Sequence, residues 1–161
     1  MKQKIMNFFR GAVVILLVVM ISGCGNKKKQ TRGKIVASEI GLSMNIPRGW
    51  TIDKHNPQMC FKGDYTGIVI DEPLEGKDFY EYAEKLYKDF GGKVISKIPL
   101  KICGYEAVKV FIDYPKQDTK AIRIFIKKNG RIIEISFTIL KNDFMKYKSS
   151  ILDSLDSIEI K

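Results

Sequence analysis

Histidine is almost absent from the sequence, since His55 is the only one in 161 residues. Neither a Cys-x-x-Cys nor a His-x-x-x-His spacing occurs, so the common zinc-binding patterns are missing. A hydrolase triad would need a histidine beside a nucleophile, and no serine lies in a recognisable nucleophile elbow. We therefore expect no catalytic triad, no metal centre and no cofactor.

A long hydrophobic run is also missing. The apolar segment 11–21 has about eleven residues, roughly half the length that spans a bilayer as a helix. Basic residues precede it and the small pair Ser22-Gly23 follows it, which is typical of a signal peptide. Cys24 comes directly after that pair, as in a bacterial lipobox. We predict that residues 1–23 are a lipoprotein signal peptide and that Cys24 is the acylated amino terminus. The alternative is an ordinary signal peptide with a chance cysteine.

Acidic residues are absent from the first 34 positions, and this accounts for most of the net charge of +10. Of the 28 Lys and Arg residues, three belong to the predicted signal peptide and five to the polar stretch that follows. Residues 35–161 then carry 20 basic and 18 acidic groups. Proteins that neutralise many phosphates carry a concentrated basic face. A nearly neutral domain does not favour nucleic acid as a partner.

The polar stretch 24–34 offers no apolar side chain to a core, so we expect a flexible, lipid-anchored basic tether. Its cations would lie close enough to the membrane to meet anionic headgroups, or they only keep the tether solvated and extended. Residues 35–161 have the length of a single globular domain. We expect that domain on the extracytoplasmic side of the cell membrane, which it reaches through Cys24.

Two cysteines remain once Cys24 is assigned to the lipid. Cys60 and Cys103 form an even pair in an exported domain, which permits one disulfide. Each also has apolar neighbours, so a pair of buried free thiols is the alternative. A catalytic thiol would need a nearby base, and the only histidine lies in a polar loop.

Periodic apolar residues predict two helices. From Asp78 to Phe90 they recur at steps of three and four residues, so that one face is apolar and mostly aromatic. Asp78 is placed to cap the first turn, and Gly91 is placed to end the helix in a left-handed conformation. A second helix is predicted from Asn142 or Asp143 toward the carboxyl terminus.

Strands are predicted before the first helix, over residues 35–40, 42–46 and 66–70, and between the two helices, over residues 93–98, 105–114, 120–128 and 131–139. Asn129-Gly130 joins the last two as a tight hairpin, because both residues readily take positive φ. Phe125 and Ile132 make the second face of this hairpin partly apolar, so helices should cover it. This order, without alternating strand-helix-strand units, predicts an α+β domain built on an antiparallel sheet.

Several of these features occur together in one known family. They are an amphipathic helix in mid-chain and two short segments, Ile46-Pro47-Arg48-Gly49-Trp50 and Gly104-Tyr105-Glu106-Ala107-Val108. Because of these features, residues 35–160 resemble proteins with the PsbP-like (PsbP/DcrB-type) fold. The resemblance implies an antiparallel sheet sandwiched by helices in an α/β/α arrangement. It also implies a largely non-catalytic module, as in extrinsic proteins of photosynthetic membranes and many exported bacterial lipoproteins, and it brings no catalytic residues.

Five residues are candidates for a binding surface. Trp50 is the only tryptophan; we expect it to cap the core, and the alternative is that it stacks on a ligand. His55 lies in a stretch without a regular pattern. Asp71, Glu72 and Glu75 lie in a Pro-Gly loop, where they either hold a hard cation weakly or are simply solvated.

Two functions are consistent with these features. In the first, the anchored domain is a non-catalytic binding module of the cell envelope, which presents its sheet edge and the loops 55–65 and 71–77 to another envelope protein or a small ligand. The alternative is an envelope hydrolase or a weakly metal-binding enzyme. It would need two of Asp71, Glu72 and Glu75 to face each other as an acid-base pair in a closed cleft.

Overall fold

The computed structural model describes residues 33–88 and 91–161. The predicted signal peptide and nearly all of the predicted tether, Cys24 included, lie outside these ranges. So do Asp89 and Phe90, the predicted last residues of the first helix. The lipid attachment and the domain boundaries at residues 23 and 34 therefore stay predictions.

The described residues form ten strands: β1 (Lys34–Ala37), β2 (Leu42–Asn45), β3 (Thr51–Ile52), β4 (Met59–Lys62), β5 (Tyr65–Pro73), β6 (Lys93–Ile102), β7 (Tyr105–Tyr114), β8 (Thr119–Lys128), β9 (Arg131–Leu140) and β10 (Glu159–Ile160). The helices are α1 (Phe79–Lys88) and α2 (Phe144–Leu155). Short 3₁₀ turns cover Ser38–Ile40 and Lys141–Asp143. Neither α1 nor α2 has the length and apolarity needed to cross a membrane.

The strands make two antiparallel sheets. The larger has seven strands in the order β3-β4-β5-β9-β8-β7-β6, and the smaller has three in the order β1-β2-β10. Consecutive strands pair as hairpins from β3 to β5 and from β6 to β9. β5 also pairs with β9, which is its neighbour in the sheet but is distant in the sequence. The α+β architecture predicted from the sequence is confirmed.

Both faces of the large sheet are covered. On one face, α1 packs through Phe79, Ala83 and Tyr87 against β7, β8 and β9. On the other face, α2 and the small sheet enclose a larger core that includes the alternate isoleucines of β8 and β9. Phe125 and Ile132 lie under α1, fully or almost fully buried. The partly apolar second face of the hairpin therefore has the helical cover that the sequence predicted.

Local signals account for the ends of these elements. Asn129 and Gly130 have φ values of 50° and 73°, as a tight hairpin turn between β8 and β9 requires. The Asp78 carboxylate accepts hydrogen bonds from the backbone N–H groups of Tyr80 and Glu81 at 2.9 and 3.0 Å, so Asp78 caps α1 as predicted. Gly91 has φ 70°, the left-handed conformation expected after the helix.

Three predictions for the first half of the chain were wrong. Ser38–Ile40 is a 3₁₀ turn and not part of a strand, and β4 lies inside the stretch 55–65 that had no regular pattern. β5 continues to Pro73 through residues that the sequence placed in a loop. For β5 the reason is tertiary, because β9 supplies pairing partners as far as Arg131, opposite Pro73.

Candidate functional site

Asp71 and Glu72 lie in strand β5. Successive side chains of a strand point to opposite faces of the sheet. The register pairs Asp71 with Ile133, which faces α2, and Glu72 with Ile132, which faces α1. Glu75 lies beyond the strand, in a turn. The carboxylates of Asp71 and Glu72 therefore lie on opposite faces of the sheet and do not face each other across a cleft.

Asp71 is held by Arg131. The Nε of Arg131 donates to both carboxylate oxygens at 2.9 and 2.8 Å, and its Nη2 lies 2.8 Å from Oδ2. A bidentate pair of this kind is a strong, geometrically specific interaction. It fixes both side chains across neighbouring strands, and it occupies the oxygens that Asp71 would need as a base or a metal ligand.

The pair lies in a small open cleft of about 110 Å³, lined by Glu39, Ile40, Asp71, Lys128, Asn129, Arg131 and Ile133. Lys128 is bonded as well, because its Nζ donates to the main-chain oxygens of Ile40 and Lys161 at 2.7 and 2.8 Å. The two cationic side chains of the cleft, Arg131 and Lys128, are therefore both bonded to groups of the protein itself. The residues of this cleft come from three distant segments of the chain, so no local sequence pattern predicts it.

The other two candidate carboxylates also have partners. The hydroxyl of Tyr82 donates to Oε2 of Glu72 at 2.9 Å, which raises the pKa of Tyr82. The Nζ of Lys77 lies 3.1 Å from Oε2 of Glu75 on the exposed surface. No group of three or more His, Cys, Asp and Glu within the described ranges is placed to hold a metal ion.

A buried ion pair under α1 was missed by the sequence analysis. Nη1 of Arg123 lies 3.1 Å from Oε1 of Glu134, and the two side chains are 12% and 11% exposed. Burial raises the pKa of Glu134, although the charge of Arg123 opposes this shift. The sequence contained one indication of this ion pair. By strand alternation, Arg123 and Glu134 lie on the same hairpin face as Phe125 and Ile132. Because that face is covered by a helix, charged residues on it must pair.

Trp50 belongs to the core and not to an exposed surface. It is 5% exposed, and its ring meets those of Phe137 and Tyr147 edge to face, with centroids 5.7 and 6.4 Å apart. Aromatic pairs in this arrangement stabilise a core beyond the area that they bury. Trp50 therefore packs in the core, as expected, and is not placed to stack on a ligand.

His55 lies on the surface, in a turn that its neighbours stabilise. The carboxylate of Asp53 accepts hydrogen bonds from the backbone N–H groups of His55 and Asn56 at 2.7 and 3.0 Å. These two bonds lower the pKa of Asp53. The five candidate residues thus occupy the core, both faces of β5 and two separate turns, and they do not form one site.

The disulfide that the sequence permitted is not formed. Cys60 and Cys103 are free thiols, the first buried in β4 and the second exposed in the turn between β6 and β7. Three strands lie between β4 and β7 in the sheet, and neighbouring strands are about 4.8 Å apart. That separation far exceeds the Cα distance of about 7 Å beyond which two cysteines cannot be bridged.

The outer strand β6 is the most apolar exposed part of the sheet. It ends the strand order and pairs with β7 alone. Three of its side chains are large, apolar and exposed: Val94 (42%), Ile95 (56%) and Ile98 (42%). The register shifts between Val94 and Ser96, which marks a β-bulge at Ile95.

No protein-family model and no curated protein matches the sequence. Solved structures do resemble it. The cyanobacterial PsbP (CyanoP) of Synechocystis sp. PCC 6803 superposes with a TM-score of 0.61 at 12% identity, over 86% of this chain and 97% of that chain. LpqN, a protein involved in cell envelope biogenesis of Mycobacterium tuberculosis, gives a TM-score of 0.57 at 10% identity, over 74% and 83%.

A third solved structure, PA94 of Pseudomonas aeruginosa, is that of a protein of unknown function. It superposes with a TM-score of 0.56 at 12% identity, over 81% of this chain and 97% of that chain. Identities this low carry the fold and not the activity. The described domain therefore has a PsbP-like α+β fold.

Proposed function

We propose that this protein is a membrane-anchored, extracytoplasmic lipoprotein whose domain is a non-catalytic binding module for another protein of the cell envelope. The observation that carries the proposal is the outer edge of β6. An edge strand offers a row of main-chain donors and acceptors to an extended segment of a partner, which adds to the sheet as a further strand. Natural proteins usually cover or blunt such an edge, and in β6 Pro99 and the bulge at Ile95 blunt it in part and leave its apolar side chains exposed.

Apolar side chains flank this edge on both faces of the sheet. Val94 is opposite Ile112 on the face covered by α1, and Ile98 is opposite Lys109 on the other face. Lys97, which lies between them, is turned toward α1, where its Nζ is 3.8 Å from Oε2 of Glu84. An added strand would therefore meet apolar surface above and below, without a lysine projecting across its path.

The same strand limits what can bind. Pro99 has no N–H to donate, so pairing is restricted to the first half of β6, residues 93–98. Lys93 and Lys101 lie at the two ends of the strand. The partner that fits is an extended, apolar segment of about six residues with acidic residues beside it.

Other features support a role without catalysis. Asp71, Glu72 and Glu75 are each bonded to a neighbouring side chain, and Asp71 and Glu72 lie on opposite faces of β5. The likeness to CyanoP and to an envelope biogenesis protein supports the placement in the envelope, as does the lipobox at Cys24.

A site-specific crosslink tests the proposal. A photoreactive amino acid replaces Ile95 in the full-length protein, in its native membrane, and a matched variant carries it at Asn129 in the hairpin turn. We expect an adduct with one envelope protein from position 95 only, and we expect Ile98→Glu to abolish it without unfolding the domain. Cys24→Ala should release the protein from the membrane fraction. Equal adducts from both positions, or an adduct that survives Ile98→Glu, would contradict docking at β6.

A further inference from the structure

Four lysines lie against aromatic rings around the first two turns of α2, and we refer to them as the lysine face. They are Lys62 and Lys146 over the ring of Tyr147 at 5.4 and 5.2 Å, Lys120 over Phe144 at 5.5 Å, and Lys148 over Phe111 at 5.4 Å. Contacts of this kind position the ammonium groups while their stems cover apolar surface.

The four lysines of this face make no ion pair. Within residues 33–88 and 91–161, none of their ammonium groups lies within ion-pairing distance of a carboxylate. Two acids lie nearby: Asp143 accepts a hydrogen bond from the hydroxyl of Tyr65, and Asp113, opposite Lys120, is paired with Lys141 at 3.0 Å. The lysines outnumber these two acids, so a net positive charge is available to an external anion.

An exposed apolar side chain accompanies the lysines. Met145, in the first turn of α2, is 74% exposed, the largest value among the exposed large apolar side chains of the described residues. Apolar side chains that project among lysines are typical of surfaces that lie in the interface of a bilayer, where the apolar groups enter the acyl boundary and the cations meet phosphates.

The chain enters the described domain alongside α2. The carbonyl of Gly33 accepts a hydrogen bond from the N–H of Ile46 at 2.9 Å, directly before the turn of Pro47 to Trp50. Asn45, the residue before Ile46, is hydrogen-bonded to Ser154 and Ser157 at the carboxyl end of α2. The entry point therefore lies on the same face of the large sheet as the lysine face, near the other end of the helix.

We propose that the lysine face, with Met145, docks the domain onto an anionic lipid bilayer. Charge complementarity supports this occupant, and so does the exposed apolar side chain among the lysines. Docking would fix the orientation of the domain, which a tether alone would leave free. The proposal does not depend on the β6 edge, and it holds whether or not Cys24 is acylated.

Fluorescence quenching on vesicles tests the orientation directly. The full-length protein carries an environment-sensitive fluorescent amino acid at position 145 or, as a control, at position 129 in the turn between β8 and β9. It is reconstituted with phosphatidylcholine vesicles that contain or lack phosphatidylglycerol, and with lipids that carry a quencher in the headgroup. We expect strong quenching at 145 with phosphatidylglycerol, weak quenching without it, and little at 129 in either case.

A charge-matched pair of variants separates the lysine face from net charge. Lys146→Glu with Lys148→Glu alters the lysine face, whereas Lys85→Glu with Lys101→Glu makes the same charge change elsewhere. We expect the first pair to lower the docked-to-undocked ratio at least fivefold for each lysine, since one lysine near an anionic surface contributes about that factor, and the second pair to change it little. Equal effects of the two pairs, or equal quenching at 145 and 129, would overturn the proposal. Protein crosslinks to position 145 in native membranes, without quenching on vesicles, would assign the surface to an acidic protein instead.

Discussion

Gly67 of β5 lies directly opposite Phe137 of β9, and the ring of Phe137 fills the space in which a β-carbon of residue 67 would stand. That carbon would overlap Cε1 of Phe137, and it would be 2.8 Å from Sγ of Cys60. Gly67 is therefore required by the close approach of its neighbours in the core between the large sheet and α2.

Gly67→Ala should destabilise the domain by about 1 to 3 kcal/mol, the usual cost of overpacking a core. Phe137→Leu would be destabilising alone, but it makes room for the new methyl group, so the two changes should be less than additive. Urea denaturation of the single and double variants gives the coupling free energy. Strict additivity would show that the Phe137 ring is not what excludes a side chain at residue 67.

Trp50→Ala should lower the free energy of unfolding by about 3 to 5 kcal/mol, because it removes the ring that packs on Phe137 and Tyr147. Trp50→Phe should cost less, since an aromatic ring remains. Trp50 is the only tryptophan, so unfolding must be followed by circular dichroism. If Trp50→Ala were as stable as the unchanged protein, Trp50 would not be a core residue.

Glu134 should make stability depend on pH. Burial raises its pKa above the ordinary value of 4.5, so the folded chain holds the proton more tightly than the unfolded chain. Its stabilising contribution is therefore present below pH 4.5 and is lost as the pH rises through the raised pKa. The stability of the unchanged protein relative to Glu134→Gln should fall from pH 4 toward neutrality, as measured by urea denaturation. A difference that is constant with pH, or that grows with it, would contradict the raised pKa.

Cys60 and Cys103 should differ in reactivity. Burial raises the pKa of the Cys60 thiol to about 12, so it is neither ionised nor accessible near neutral pH, whereas Cys103 is exposed. Alkylation of the native protein, followed by peptide mass mapping, should modify Cys103 quickly and Cys60 only after denaturation. Equal rates at the two positions would mean that β4 opens readily in the folded protein.

The elements that the sequence predicted best are those whose signals are local. The cap at Asp78, the Asn129-Gly130 turn and the apolar face of α1 each depend on residues within a few positions. The second half of β5 was missed because its strand conformation depends on pairing with β9, which is distant in the sequence. β4 was missed although its partners β3 and β5 are its neighbours in the sequence, because its four residues show no clear alternation. Asp143 is at the start of α2 but does not cap it with its side chain, since Tyr65 from β5 takes that carboxylate.

The candidate sites were harder to predict than the fold for the same reason. Trp50, His55 and the acidic residues around Glu72 were candidates because of their residue types. In the structure, Trp50 is buried in the core and strand alternation places Asp71 and Glu72 on opposite faces of the sheet. The cleft around Arg131, the ion pair of Arg123 and Glu134, and the lysine face each combine residues from distant segments. Only the sheet order and the packing of α1 and α2 bring these residues together.

The small sheet gives the domain a polarity. β1 and β10 run in the same direction on either side of β2, so the chain enters beside Asn45 and passes Leu42 as it reaches Lys161. These two points lie at opposite ends of β2. An anchor grafted after Lys161 would hold the domain at the opposite end of β2 from an anchor before Gly33. The choice of which end of the chain is tethered is thus also a choice of which end of the small sheet lies nearest to the anchor.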